Sequence, residues 1–238
     1  MEGLGGLNKR GLITSPEDCY LTPPWAVSWL LDRWTPAGAV VCDPCACGYG
    51  GWSIGGAVGA GRGIELFDVE PRGDGVLRAD FRELVLEFLS GGRTIITNPP
   101  YRLLPEFVRW ALVQPSVLEV VILTRFGFLC AEGGRRAEHI MAYYQPARRL
   151  AFELLPEEGR RRIEHNEELE RWVRTGACSE AAAKRSRLDV HADPRCRTGY
   201  RMSSTGVDHG WAVYHPRYSG PALLSIGSAD RADELTPF

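Results

Sequence analysis

The sequence predicts an α/β fold in which a mostly parallel sheet is covered by helices on both faces. Short apolar segments rich in β-branched residues recur along the first half of the chain, with helical segments between them. Strands that alternate with helices favour a parallel sheet, because a parallel connection needs a crossover segment. A chain of 238 residues, of which 44% are hydrophobic, is long enough to bury the core of one such domain with an insertion.

Five segments of the first half are predicted to be buried strands, and four are predicted to be helices. The strands are residues 40–45, 63–68, 76–81, 94–98 and 119–125. The helices are residues 25–34, 52–59, 82–89 and 105–113, the last of which has apolar residues at helical spacing. The first helix follows Pro23 and Pro24, and proline is favoured where a helix begins.

The second half of the chain has a different pattern. Residues 149–155 are predicted to form a sixth strand, and residues 210–215 a late strand of the same sheet. Residues 156–205 between them are polar and poor in strand signals, which predicts a solvated or partly disordered insertion. From Arg171 to Arg201 eight Lys and Arg residues outnumber three Asp and Glu residues, although the whole chain has a formal net charge of −2. This local excess of positive charge makes the insertion a candidate nucleic-acid contact.

Composition and cysteine spacing argue against a membrane-spanning, a secreted or a zinc-binding protein. No apolar run reaches the length of a membrane span, and the first residues lack the apolar core of a secretory signal, so we expect a soluble cytoplasmic protein. The seven cysteines form no regular framework. Cys42, Cys45 and Cys47 cluster around one turn, but no further ligands follow at the spacing of a zinc site. We therefore expect reduced thiols and no metal.

A Gly-rich turn, DPCACGYGG at residues 43–51, follows the first predicted strand. The backbone amides of such turns approach ligands closely, and the turns commonly hold a cofactor. It is not a P-loop, because no Gly-Lys-Ser/Thr follows. Acidic residues end the next two strands. Glu65 and Asp68 on the second strand are candidate partners of ribose hydroxyls, and Asp80 on the third is a candidate partner of an adenine amino group. Phe81, beside Asp80, could stack on a ligand or pack in the core. Together these residues predict a cofactor that contains a nucleoside.

The fourth predicted strand ends in ITNPPY, residues 96–101. Prolines are rare inside strands, so the segment predicts a rigid turn. The side-chain oxygen of Asn98 and the carbonyl of Pro99 are two acceptors that the prolines hold in place. Such a pair can bind both protons of a planar amino group and draw its nitrogen towards tetrahedral geometry, which makes the lone pair available for attack. Tyr101 adds a flat face on which a base can stack.

In these segments the chain resembles the S-adenosylmethionine-dependent amino-methyltransferases, specifically the adenine-specific DNA methyltransferases. NPPY matches their catalytic motif at every position. DPCACGYG resembles their cofactor motif, with Cys47 where the first glycine is expected. CYLTPPWAVSWLL resembles the segment at the methionine end of the cofactor, and FDVEPRGDGVLRADF followed by TIITNPPY resembles small phage- and prophage-encoded members. GWAVYHPRYSGP is similar to their closing strand. The resemblance covers residues 18–155 well and 208–221 loosely.

The resemblance implies a Rossmann-like class I methyltransferase fold, with a mostly parallel seven-stranded sheet, an antiparallel last strand and a small polar insertion. It divides the chain into a cofactor-binding and catalytic core at 1–155, a target-recognition insertion at 156–205, and a closing strand with a tail at 206–238. The implied cofactor is S-adenosyl-L-methionine and the implied partner is DNA, with RNA also open. The implied location is the cytoplasm of a bacterium or of a phage-infected host. A monomer and a dimer both remain open.

The implied site residues form three groups, and none is a metal ligand. The catalytic group is Asn98, Pro99, Pro100 and Tyr101. The cofactor-binding group is Tyr20, Thr22, Pro23, Asp43, Pro44, Cys45, Ala46, Gly48, Gly50, Glu65, Asp68, Asp80 and Phe81. The substrate-binding group is Phe126, Phe128, Arg185 and Arg187. Either phenylalanine could cover the second face of a flipped base, and arginine suits phosphates and guanine edges.

The NPPY segment also suits planar amino groups other than that of DNA adenine. RNA adenine is the second candidate substrate and protein glutamine the third, since glutamine-modifying enzymes usually carry a separate N-terminal helical domain, and only about 40 residues precede the first predicted strand. A degenerate methyltransferase fold that only binds nucleic acid is the non-enzymatic alternative. The intact NPPY segment argues against it, and Cys47 in the glycine motif argues for it.

Overall fold

The computed structural model describes residues 20–47, 54–58, 61–130, 139–147, 150–194, 196, 198–202 and 208–226. These residues fall into two compact units. The larger unit comprises Thr22–Leu150 and Gly206–Phe238, and the smaller comprises Met1–Leu21 and Ala151–Thr205. The predicted division of the chain at residues 155 and 205 remains a prediction.

The described strands and helices are numbered along the chain. The strands are β1 (Tyr20–Leu21), β2 (Val40–Asp43), β3 (Gly63–Asp68), β4 (Val76–Arg78), β5 (Arg93–Thr97), β6 (Val117–Arg125), β7 (Ile140–Gln145), β8 (Glu153–Leu154), β9 (His191–Ala192), β10 (Tyr200–Arg201), β11 (His209–Tyr214) and β12 (Leu223–Ile226). The helices are α1 (Pro24–Leu31), α2 (Ile54–Val58), α3 (Leu104–Leu112), α4 (Phe126–Leu129), α5 (Pro156–Arg174) and α6 (Glu180–Ser186).

The larger unit is built on a sheet with the strand order β12-β7-β11-β6-β5-β2-β3-β4. Neighbouring strands run parallel except at β11, which is antiparallel to both β6 and β7. This arrangement confirms the predicted Rossmann-like class I methyltransferase fold. The sheet has eight strands rather than the predicted seven, because β12 adds a parallel strand beside β7.

The centre of this sheet is the core of the larger unit. All five residues of β5 are buried, as expected of a strand covered on both faces. Helix α3 begins with a proline in its first turn and buries Leu104, Phe107 and Ala111. The helix predicted at 105–113 is thus present, but of its predicted stripe only Phe107 is buried, and the other members, Leu103, Val108 and Leu112, are half-buried against the core. Helix α1 also has a proline at its start, and its Ala26 carbonyl accepts a hydrogen bond from Nε1 of Trp211 at 3.0 Å. Across the described helices, none combines the length and apolar character needed to cross a membrane.

The helix predicted at residues 82–89 is wrong. A short turn follows β4, and the backbone of residues 84–89 has no regular structure. Side chains from other segments bind this backbone: Gln114 Oε1 accepts from the amide of Leu86 at 3.0 Å, and Trp110 Nε1 donates to the carbonyl of Leu84 at 3.0 Å. These contacts satisfy the groups that helical bonds would otherwise use, which sequence periodicity does not reveal.

The smaller unit contains a four-stranded antiparallel sheet with the order β1-β8-β10-β9. The strand predicted at residues 149–155 is therefore misplaced, because its β8 portion pairs in this small sheet and β7 is the strand that joins the large sheet. The segment predicted to be a solvated or partly disordered insertion is solvated but not a loop, since α5 and α6 occupy much of its described part. Helix α5 is polar, and Glu158 pairs with Arg161 and Arg162 one turn away, at 2.8 and 2.5 Å.

Candidate active site

The candidate active site lies at the carboxyl end of the parallel strands of the larger unit. β2 is flanked by β3 on one side and by β5 on the other, so the segments that follow these three strands leave the sheet at the same edge. Asp43 ends β2, Asp68 ends β3, and Asn98 follows β5 directly. Ligands of open parallel sheets bind at this edge.

Asp43 connects the cofactor turn to the catalytic segment. Its side chain is buried, and Oδ1 accepts hydrogen bonds from Oγ1 of Thr97 at 2.7 Å and from the amide of Cys45 at 3.1 Å. Burial raises the pKa of the Asp43 carboxyl to about 7, although both hydrogen bonds lower it. Because Thr97 immediately precedes Asn98, one carboxylate fixes the ends of both β2 and β5.

The turn after β2 is held against β3 by two backbone hydrogen bonds. The amide of Ala46 donates to the carbonyl of Phe67 at 2.8 Å, and the amide of Cys47 donates to Oδ2 of Asp68 at 2.9 Å. Cys47 has φ = 48°, in the left-handed region that favours glycine. This conformation gives a physical reason for a glycine at this point of the related motif. The predicted contacts of Gly48 and Gly50 lie outside the described residues.

Of the two acidic residues predicted on β3, Asp68 is at the strand end and Glu65 lies deeper in the strand. Glu65 forms a two-point ion pair with Arg93, with Nε to Oε2 at 2.6 Å and Nη2 to Oε1 at 3.0 Å. Oδ1 of Asp68 accepts from the amide of Glu70 at 2.8 Å. A carboxylate has about four acceptor positions, so Asp68 retains capacity for hydroxyl donors. The geometry favours Asp68 as the ribose partner, and both assignments remain predictions.

Asp80 and Phe81 follow β4 and have different surroundings. Asp80 forms a two-point ion pair with Arg82, and the hydrogen bonds from this guanidinium hold the pKa of the Asp80 carboxyl below its usual value. The ring of Phe81 is buried and packs edge-on against Phe107, with centroids 5.1 Å apart, and against Trp110 at 5.6 Å. Of the two roles predicted for Phe81, the structure favours packing.

The NPPY segment leaves β5 as an extended turn and enters a 3-10 turn at Tyr101. Asn98 is half-buried and Pro99 is buried, whereas Pro100 is exposed. No described residue donates a hydrogen bond to the carbonyl of Pro99. The carbonyl is therefore an acceptor that a ligand could use.

Two side chains that the sequence analysis did not identify as site residues contact Tyr101. The imidazole of His209 stacks on the phenol ring, with centroids 5.8 Å apart and an angle of 27° between the planes. Cζ of Arg125 lies 5.5 Å from the centroid of the same ring. The predicted strand at 119–125 ended on Arg125, and only the register of β11 against β6 places His209 opposite it. That pairing is not apparent from either segment alone.

The two phenylalanines predicted to cover a base differ in exposure. Phe126 is 44% exposed, and its ring packs at a tilt on Tyr143 with centroids 5.4 Å apart. Phe128 is half-buried and packs against the core. Phe126 is therefore the better candidate of the pair.

The remaining predicted residues lie in both units. In the larger unit, Thr22 is buried and the carbonyl of Pro23 accepts the first hydrogen bond of α1 from Ala26 at 2.9 Å. In the smaller unit, the ring of Tyr20 lies 6.1 Å from that of Phe152. Also in the smaller unit, Arg185 is exposed at the end of α6, and Arg187 pairs with Glu170 at 3.0 Å. Their roles in binding cofactor or substrate remain predictions.

The cysteines of the first turn do not all have the predicted state. Cys42 and Cys45 are free, and burial raises the pKa of both thiols. Cys47 is disulfide-bonded, contrary to the expectation of reduced thiols. In the described part of the chain, no group of three or more His, Cys, Asp or Glu residues is arranged to hold a metal ion.

No protein-family model and no curated protein matches this sequence. Among solved structures, the chain is similar to the crystal structure of the 23S rRNA methyltransferase ErmE. The TM-score is 0.44 and the sequence identity 13%, over 85% of this chain and 71% of that chain. A likeness of this degree supports no conclusion about activity, and the assignment of the fold is based on the strand order.

Proposed function

We propose that this protein is a methyltransferase that moves a methyl group from S-adenosylmethionine to the exocyclic amino group of an adenine in DNA. The observation that supports this most is the position of the NPPY segment. It follows β5 at the edge where the β2 turn and Asp68 meet, and the carbonyl of Pro99 accepts no hydrogen bond from a described residue. A planar amino group is the ligand that two fixed acceptors on one segment suit best.

The residues around the β2 turn fit the proposed cofactor. Asp68 has acceptor capacity for ribose hydroxyls. Asp80 is the proposed acceptor for an amino group of the adenine ring, which would have to share the carboxylate with Arg82. Cys47 adopts the backbone conformation in which a Gly-rich turn approaches a ligand closely. When bound, S-adenosylmethionine supplies an electrophilic methyl group on a sulfonium sulfur.

Asn98 and Pro99 act on the amino group of the target base. The side-chain oxygen of Asn98 accepts one N–H and the carbonyl of Pro99 accepts the other. The nitrogen lone pair then withdraws from the ring and forms the new N–C bond as the C–S bond breaks, and the surplus proton leaves to water. Preset acceptors stabilise the charge that develops on nitrogen at no reorganisation cost.

Tyr101 provides the stacking surface for a base taken out of the duplex. The residue is 36% exposed, although His209 and Arg125 also contact its ring, and we assign the exposed part to the target base. Flipping a base costs a few kcal/mol, and stacking on an aromatic ring returns about 1–3 kcal/mol. The aromatic ring therefore offsets much of the cost of extracting the base.

We assign target recognition to residues 156–205. In the structure this segment carries α5 and α6, whose exposed cationic side chains include Arg171, Arg174, Lys184 and Arg185. Cationic side chains neutralise phosphates and make binding depend on salt. Arg185→Ala should weaken DNA binding in a filter assay and leave S-adenosylmethionine binding unchanged. Arg72→Ala, a matched change at an arginine that pairs with Glu70 in the larger unit, is the control.

The substrate class is tested by parallel transfer of a tritiated methyl group to DNA, RNA and protein, with S-adenosylmethionine binding measured by titration calorimetry. We expect labelled N6-methyladenine in DNA. Transfer to RNA or protein alone would replace DNA as the substrate. Absence of cofactor binding at millimolar concentration would refute the enzyme and favour a non-catalytic fold.

A further inference from the structure

His209 and Arg125 form a small cluster with Tyr101, which we call the ring support. His209 is the first residue of β11 and lies opposite Arg125, the last residue of β6, in the antiparallel register. His209 is 1% exposed, so its imidazole is fixed inside the larger unit. A residue more than a hundred positions after Tyr101 thus contacts the aromatic ring of the catalytic segment.

The contacts within the ring support are specific in geometry. The imidazole lies nearly parallel to the phenol ring at 5.8 Å, and the guanidinium of Arg125 lies 5.5 Å from that ring, within the range of cation–π attraction. Nε of Arg125 donates to Nε2 of His209 over a long 3.5 Å contact. Because a guanidinium has no acceptor, Nε2 of His209 is the acceptor in this contact.

The backbone next to His209 is held closely in place. A Cβ on Gly210 would lie 2.7 Å from Cζ of Tyr143 and 2.7 Å from the carbonyl oxygen of Tyr144, so only glycine permits this approach of β11 to β7. Tyr143 in turn donates a hydrogen bond to the carbonyl of Thr124 at 3.2 Å, next to Arg125. The ring support therefore has little freedom to move away from Tyr101.

We propose that His209 and Arg125 are positioning residues that orient Tyr101, so that the exposed part of its ring meets the target base while Asn98 holds the amino group. The effect of this orientation on catalysis rests on the proposed function. The orientation of the ring itself does not depend on that function. In NPPY the prolines fix the backbone, and the ring support fixes the side chain.

The direct test changes His209 and Arg125 and leaves the NPPY segment unchanged. Arg125→Met retains much of the side-chain volume and removes the cation, and His209→Phe retains a ring and removes the acceptor. His209→Ala removes both ring and acceptor. We expect Arg125→Met and His209→Ala to lower turnover at saturating substrates by about tenfold or more, whereas His209→Phe retains most of it, because the stacked ring is what orients Tyr101. His215→Ala, just beyond the other end of β11, is the control.

Two measurements separate positioning from a general loss of structure. Affinity for S-adenosylmethionine should be unchanged, because the β2 turn is intact. In a double-mutant cycle, Arg125→Met should have little further effect once Tyr101 is alanine. Additive effects of the two changes, or wild-type turnover in both Arg125→Met and His209→Ala, would overturn the proposal.

A third measurement does not need methyl transfer. In protein with labelled tyrosine rings, the Tyr101 signals are assigned with Tyr101→Phe. We expect Arg125→Met and His209→Ala to shift these signals and to speed the ring flips, and His215→Ala to leave them in place. Unchanged signals would refute the positioning role even if the protein methylates DNA. If the signals shift but the protein transfers no methyl group, the positioning role of His209 and Arg125 stands and only the proposed function is refuted.

Discussion

The hydroxyl of Thr97 donates a 2.7 Å hydrogen bond to Oδ1 of Asp43, and both side chains are buried. This bond joins the last residue of β2, where the cofactor turn begins, to the residue immediately before Asn98. The bond therefore adds a side-chain contact to the pairing of β2 with β5 at the point where the two chemical segments begin.

Thr97→Val should lower both stability and turnover, because it leaves the buried Asp43 carboxyl with one hydrogen-bond donor fewer. The expected loss in the free energy of unfolding is about 1–3 kcal/mol, the usual range for a buried group that loses its partner. Urea denaturation measures it, and Thr97→Ser, which retains the hydroxyl, is the control. If the valine variant is as stable as the serine variant, the bond makes no net contribution.

Asp43 should make stability depend on pH between about pH 4 and pH 7. Its pKa is about 7 in the folded protein against an ordinary value of 3.8, so the folded state binds the proton more tightly. This contribution to stability is fully present below pH 3.8 and is lost as the pH rises through 7. Asp43→Asn, which is neutral at every pH, should show a flatter profile than wild type in thermal denaturation from pH 5 to pH 8. An unchanged profile would contradict the raised pKa.

Glu65→Gln and Asp68→Asn should have separable effects, although both residues lie on β3. Glu65→Gln removes the charge that faces Arg93, whose side chain is only 10% exposed, so stability should fall by about 1–3 kcal/mol while cofactor affinity stays close to wild type. Asp68→Asn should lower cofactor affinity in calorimetry, because it replaces the proposed ribose acceptor. The reverse pattern would assign the ribose contact to Glu65.

Cys47→Gly should be more stable than Cys47→Ala. Both variants lose the disulfide-forming thiol, so the comparison isolates the backbone conformation at φ = 48°. Glycine adopts this conformation without a Cβ clash, and the expected difference in the free energy of unfolding is about 1 kcal/mol. An alanine variant of equal or greater stability would show that the left-handed conformation is not strained here.

Much of the larger unit could be predicted from the sequence. Strands β2, β3, β5 and β6 were predicted because buried parallel strands are continuous apolar runs, and α3 because its apolar residues repeat with the helical period. The structure of residues 82–89 was predicted wrongly as a helix, because side chains of Gln114 and Trp110 bind its backbone in place of helical hydrogen bonds. Helix α5 was missed because its buried residues, Gly159, Arg162, Asn166 and Leu169, do not form an apolar stripe.

The candidate site was predicted where its chemistry is local in sequence. NPPY and the acidic residue at the end of β3 are contiguous signals at strand ends, so their meeting at one edge follows from a parallel sheet. The contacts of His209 and Arg125 with Tyr101 depend on the register of β11 against β6. Register across strands distant in sequence leaves no local pattern, so this part of the site required the structure.

Asn98 is the residue on which the proposed methyl transfer depends most. The decisive measurement is single-turnover transfer of a labelled methyl group to adenine-containing DNA by wild type and by Asn98→Ala, with cofactor binding measured in parallel. We predict N6-methyladenine from the wild type, a loss of at least about a thousandfold in rate for the variant, and cofactor affinity within a few-fold of wild type, because an acceptor needed only in the transition state lowers turnover and not binding. Wild-type turnover in Asn98→Ala would contradict the account.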